Sequence, residues 1–217
     1  MPSSDIVGRI AIIKSEANGK QKTKAQKLRE AKILLKRPSI KTVLEKSSNV
    51  KGRLRKIQTK HILGEKNKTT KYKENDCAFK LNVDTCYFSP RLSDERNQIS
   101  RLIKKKDSVL VMFSGISVYP IVIEKKSNPK KIIAIEISKE CNKYAKENLK
   151  LNHSKKIELI QGDVKKKITK KLGKFDKIIM ARPNLEPTFL ESALKASKKG
   201  TKILYYGFCN KDKLKEM

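Results

Sequence analysis

The chain has 217 residues, 53 of them Lys or Arg and 22 Asp or Glu, giving a formal net charge of +31. That length suits one ordinary domain or two small ones, and the lysine excess, spread along the chain, fits either lysine-biased usage or a polyanionic partner whose counterions lysines release. Cys77, Cys86, Cys141 and Cys209 form no CxxC pair, His61 and His153 are the only histidines, and no apolar run approaches membrane-spanning length. These counts argue against a metal site, a disulfide framework and a membrane span, and for a soluble cytoplasmic protein.

Residues 5–14 (DIVGRIAIIK) are apolar and β-branched and predict a first strand. Residues 15–37 predict a helix, with Ala25, Leu28, Ala31, Leu34 and Leu35 at helical spacing, ended by Pro38. Short strands are expected at 40–45 and 77–83, residues 50–63, basic and apolar by turns, read as strand-like, and 64–73 (GEKNKTTKYK) reads as a polar hairpin turn or loop. Residues 1–84 thus read as a small basic α+β unit with too few apolar side chains for a large core of its own.

Residues 92–104 predict a helix with Ser93 as N-cap and Leu92, Ile99, Leu102 and Ile103 on one face. Residues 109–113 (VLVMF) then run into Ser114-Gly115 and a second apolar run, which reads as a buried strand, a tight turn and a helix. Such a turn lets backbone N–H groups approach a ligand closely; the same pattern also serves as an ordinary strand–turn–helix in a core. Further strands are expected at 131–137, 157–160, 175–180 and 201–206. Helices are expected at 138–151, capped by Ser138 with Cys141, Tyr144, Ala145, Leu149 and Leu151 inward, and at 187–197. Strands alternating with helices imply a parallel sheet covered on both faces, residues 85–217 forming an α/β unit.

In such a sheet ligands sit at the carboxyl ends of the strands. The Ser114-Gly115 turn ends the first strand. Glu136 ends the second, where a carboxylate can accept both hydroxyls of a ribose or simply face solvent. Asp163 follows the third, where it can accept from an adenine amino group or cap a helix. A turn, an acid at the second strand end and Gly-Asp at the third is the layout of a class I S-adenosylmethionine site; GxGxxG, expected of a nicotinamide site, is absent.

The most specific stretch is YFSPRLSDER at 87–96. DIVGRIAII (5–13), VLEKSSNVKGRLR (43–55), HILGE (61–65), YKEND (72–76), ENLKLN (147–152) and QGDV (161–164) stand around it in order. On these residues the chain resembles the archaeal and eukaryotic type of tRNA (guanine-37-N1)-methyltransferase. The resemblance implies a Rossmann-like class I methyltransferase sheet preceded by a small α+β domain. It also implies S-adenosylmethionine as cofactor, the anticodon stem-loop of tRNA as partner, a monomer, and methylation of N1 of the purine just 3′ of the anticodon.

Guanine N1 carries a proton at neutral pH, so methylation needs a base. The resemblance assigns that role to Glu95, the cation at guanine O6 to Arg55, packing in the cofactor and base pocket to Tyr87, and a place near the cofactor carboxylate to Arg96. Read without it, Glu95 and Arg96 are solvated residues in a helix first turn. The other expected cofactor contacts are Phe113, Ser114, Gly115, Glu136, Ile137, Asp163, Val164, Ala181 and Pro183. The sequence departs from the family in three places. Val111 and Ser117 replace an Asp and a Gly of the turn, and Ala181 replaces an Asn that holds the target guanine by its amide. The family sheet continues into a final antiparallel strand pair, whereas this sequence stops at Met217, so those C-terminal strands are expected to be missing and the sheet edge open. The rival readings are a wybutosine-pathway enzyme that transfers the aminocarboxypropyl group, and a non-catalytic tRNA-binding protein.

Overall fold

The structure, a computed structural model, describes residues 4–17, 20–47, 56–181 and 189–205. Strands β1 (Asp5–Val7) and β2 (Ile10–Lys14) form an antiparallel hairpin where one strand was expected. The apolar run conceals a turn at Gly8, whose φ is +56° and whose Cβ, if present, would lie 2.0 Å from the Lys71 carbonyl oxygen. A small hairpin of β3 (Glu16–Ala17) and β4 (Lys20–Gln21) follows. Helix α1 (Lys24–Leu35) therefore starts later than its composition suggests, fixed by a capping box in which Thr23 and Gln26 bond each other's backbone. Ala31 and Leu34 are buried, whereas Ala25 and Leu28 face solvent.

β5 (Thr42–Lys46) pairs parallel with β2 and antiparallel with β6 (Thr59–Gly64), in the sheet order β1-β2-β5-β6. β7 (Thr69–Glu74) and β8 (Cys77–Asn82) form a second hairpin, closed by Asn75 and Asp76, both at positive φ. More than half of the stretch expected as turn or loop is thus strand, with only 65–68 outside β6 and β7: Thr70 is buried, Tyr72 packs edge-on against Phe88, and Glu74 just beyond is buried.

The chain then makes one 3-10 turn at Pro90–Leu92 and enters α2 (Ser93–Arg101). Because helical geometry begins at Pro90, the N-cap position of α2 is Leu92, and Ser93 instead accepts from the Asn75 amide. Ile99 and Ile103 are buried; Leu102, expected on the same face, is exposed. Next come β9 (Ser108–Met112), α3 (Val118–Ser127), β10 (Lys131–Glu136), α4 (Lys139–Leu151), β11 (Ile157–Gln161), α5 (Val164–Lys167), β12 (Phe175–Met180), α6 (Leu190–Lys195) and β13 (Ser197–Tyr205). The five strands are all parallel, in the order β11-β10-β9-β12-β13. The chain reverses direction across the sheet between β9 and β12, which opens a crevice at their carboxyl ends. Among the described residues β11 and β13 are the two edge strands.

Ser138 caps α4 through Cys141 N–H, as its sequence predicts. The inward face differs from expectation: Leu151 is exposed, and Asn148 is fully buried. Asn148 accepts from Lys80 N–H and donates to the carbonyls of Lys80 and Ile116, while Asn152 accepts from and donates to Ala78 backbone. Two asparagine amides thus take the place of a neighbouring strand along β8, satisfying backbone groups that burial would otherwise leave unpaired. One core cluster joins Phe79 and Leu81 of this hairpin to Ile116, Ile121 and Tyr144 of the α/β unit.

Candidate active site

At the carboxyl end of β9 the backbone turns sharply, with Phe113, Gly115 and Ser117 all at positive φ. Such angles are uncommon outside glycine, and they concentrate at functional turns. A Cβ on Gly115 would meet nothing within 4 Å, so the space above it is open. The Oγ atoms of Ser114 and Ser117 are buried without a hydrogen-bond partner. Glu136 braces this turn: Oε2 accepts from Gly115 N–H at 2.8 Å and Oε1 from Ser138 N–H at 2.8 Å. Each oxygen accepts one such bond and keeps the capacity for another.

The turn forms one wall of a cleft of about 760 Å³, part of it open to solvent. The cleft brings together Tyr87, Arg96, Phe113, Ser114, Gly115, Glu136, Ile137 and Ala181 from the expected site residues. On the far side of the Tyr87–Phe88–Ser89 strip lies a second cleft, walled by Val7, Ile12 and Leu81, with Lys46 and Arg91 among its lining residues.

Glu95 does not line the first cleft, but it is held by a residue that does: the Tyr119 hydroxyl donates to Glu95 Oε1. Arg96 is buried and committed. Its Nε and Nη2 donate to the two oxygens of Glu74 at 2.5 and 2.6 Å, Nη2 also reaches the Ser89 carbonyl, and the guanidinium stacks over Phe88 and Tyr119. Asp163 caps α5, accepting from Lys165 N–H, and Val164 packs in the core; neither lines the cleft. Arg55 and Pro183 lie outside the described residues.

Two residues that sequence reasoning left without a role, Glu74 and Tyr119, thus organise the site. The signal for Tyr119 is chemical: a tyrosine in an otherwise apolar helical run needs a partner for its hydroxyl. Cys141 lines the cleft, its Sγ lies 2.7 Å from Cys86 Sγ, and this neighbour together with burial pushes the Cys86 thiol up. Burial and Glu74 raise Tyr72. Among the described residues no group of three or more His, Cys, Asp or Glu could hold a metal ion, and no helix is long and apolar enough to cross a membrane.

The sequence pattern of the TRM5/TYW2 methyltransferase domain matches residues 70–216. The chain belongs to this family. It is 35% identical over 209 residues to the tRNA (guanine(37)-N(1))-methyltransferase Trm5b of Pyrococcus abyssi, covering 96% of this chain and 61% of that protein. It is 32% identical over 202 residues to the tRNA 4-demethylwyosine(37)-methyltransferase Taw21 of Saccharolobus solfataricus, covering 93% of this chain and 76% of that one. Its fold superposes on aTrm5 in the solved complex with tRNALeu with a TM-score of 0.87 at 31% identity, over 99% of this chain and 62% of aTrm5. The chain therefore spans about three fifths of the length of the Trm5 proteins it matches. As a TRM5/TYW2 domain it has the Rossmann-like sheet expected, with the cleft at the crevice between β9 and β12.

Proposed function

We propose that this chain methylates N1 of the guanine at position 37 of tRNA, with S-adenosylmethionine as methyl donor. The observation that carries the reading is the convergence on one cleft of the Gly115 turn, Glu136 and the strip from Tyr87 to Arg96, with Glu95 tied to the cleft wall by Tyr119. The residues fit the cofactor: the Ser114 hydroxyl lacks a partner, the space above Gly115 is open, and Glu136 retains lone pairs for ribose hydroxyls.

When bound, S-adenosylmethionine supplies an electrophilic methyl group. Glu95 accepts the guanine N1 proton as negative charge moves toward O6, and Arg55 is the cation assigned to that oxygen. Tyr87, on the cleft wall, packs against the base. Residues 1–84 form the substrate-side unit and 85–217 the cofactor-binding unit. The formal charge of +31 supports a phosphate-rich partner, the anticodon stem-loop. The protein acts as a monomer in the cytoplasm.

Ala181 on the cleft wall supports a second reading, because it lacks the amide expected to hold guanine. With the similarity to Taw21, it favours methylation of 4-demethylwyosine at the same tRNA position.

The test is label transfer from S-adenosylmethionine labelled in the methyl or the carboxyl group. Acceptors are tRNA transcripts with guanine or adenine at position 37, and tRNA bearing 4-demethylwyosine. Methyl label entering only the guanine transcript is the expected result. Methyl label only in 4-demethylwyosine tRNA selects the second reading. Carboxyl label in any tRNA identifies an aminocarboxypropyl transferase, and tRNA binding without label identifies a non-catalytic protein.

A further inference from the structure

We propose that Tyr119 is a positioning residue for the proton-accepting carboxylate; this rests on the reading of Glu95 as the base. Glu95 sits in the first turn of α2 and is only half-buried, so its side chain has several rotamers open to it. Tyr119 sits in the first turn of α3, which packs against α2. Tyr119 is 8% exposed and lies in the cluster of Ile99, Ile103, Val111 and Ile179, with the Arg96 guanidinium 5.7 Å from its ring centroid. Arg96 is itself fixed by two bonds to Glu74. A tyrosine has only two side-chain torsions, and packing on one side with a cation on the other sets both. Its hydroxyl is therefore a donor at a fixed point, and it donates to Glu95 Oε1.

This arrangement divides the work between the two carboxylate oxygens. Oε1 is held by Tyr119, which keeps its own proton throughout. Oε2 receives the N1 proton, while the electrons of the N1–H bond become those of the new N1–methyl bond and the methyl–sulfur pair returns to sulfur. A charge-assisted hydrogen bond from a packed donor holds the base in its productive rotamer before the nucleotide arrives. A line of contacts runs from Glu74 through Arg96 and the Tyr119 ring to Glu95. The glutamate of YKEND thus supports the base from two residues away.

Tyr119→Phe keeps the ring, its packing and the contact with Arg96, and removes only the hydroxyl. The expected result with the guanine transcript is a single-turnover methyl-transfer rate reduced about tenfold to a hundredfold, the size of a hydrogen bond to a charged group. The KM for tRNA and for S-adenosylmethionine stays within about twofold, and the thermal midpoint stays near that of the wild type. In a Glu95→Gln background the same substitution has no further effect. A folded Tyr119→Phe chain that reacts at the wild-type rate overturns the proposal, as does an equal loss with or without the Glu95 carboxylate, or a loss confined to KM. A Glu95→Gln chain of undiminished rate overturns the base assignment and, with it, the role of Tyr119. A wild-type chain that transfers no methyl group refutes the function itself.

Discussion

Replacing Glu74 with alanine strands the Arg96 guanidinium. Both side chains are almost wholly buried, at 2% and 3% exposure, and Arg96 donates two hydrogen bonds to Glu74 against one to the Ser89 carbonyl. Removing one partner of such a pair leaves an uncompensated buried charge and costs about 3–5 kcal/mol. For a chain of this size each kcal/mol moves the thermal midpoint by about 2–4 °C, so Glu74→Ala should lower it by about 6–20 °C. Glu74→Leu combined with Arg96→Met removes both charges and fills similar volume. That double variant should be more stable than Glu74→Leu or Arg96→Met alone, because no buried charge is left unpaired. Urea unfolding followed by circular dichroism measures all three. If the two single losses add in the double variant, Glu74 and Arg96 do not act as a unit and the support assigned to the Glu95 region is wrong.

Asn148→Ala leaves the Lys80 N–H and the carbonyls of Lys80 and Ile116 without their partner and should cost at least about 2 kcal/mol in urea unfolding, whereas Leu151→Ala on the exposed side of the same helix should cost under about 1 kcal/mol. Lys198 and the Ser108 N–H hold the Asp176 carboxyl below its usual value. Its stabilising contribution is therefore present above the unfolded-state pKa of about 3.9 and is lost as pH falls through the lower folded value. Stability of the wild type should accordingly fall more steeply below about pH 4 than that of Asp176→Asn, read by thermal melts across that range. Ala181→Asn should raise methyl transfer to the guanine transcript by up to about tenfold, the size of one neutral hydrogen bond; a folded variant without any gain shows that this wall of the cleft does not face the base.

Much of the α/β unit is readable from residue pattern because its strands are buried on both faces and therefore form unbroken apolar runs, as at β9 and β10. The turn between β9 and α3 is legible for the same reason: Ser114-Gly115 interrupts two such runs. The first hairpin is hidden by the same logic, since the β-branched residues on either side of Gly8 read as one strand. On α4, apolarity points to Leu151, while the structure buries Asn148, because the edge of β8 needs amide partners that no hydrophobic pattern announces. At the site, the resemblance singles out Glu95 and Arg96 through the SDER segment, but the commitment of Arg96 to Glu74 and the grip of Tyr119 on Glu95 are tertiary pairings between residues 22 and 24 positions apart. Such pairings leave no local spacing to read.

Nucleoside analysis reads the transferred group on the modified base itself. Transcripts with guanine or adenine at position 37 would be incubated with the chain and S-adenosylmethionine, digested to nucleosides and separated by mass spectrometry. The proposed mechanism yields 1-methylguanosine from the guanine transcript alone, cut by Glu95→Gln to a residual seen only in prolonged single-turnover reactions while tRNA binding persists. A methylated nucleoside of any other kind, or 1-methylguanosine formed equally well by Glu95→Gln, contradicts it.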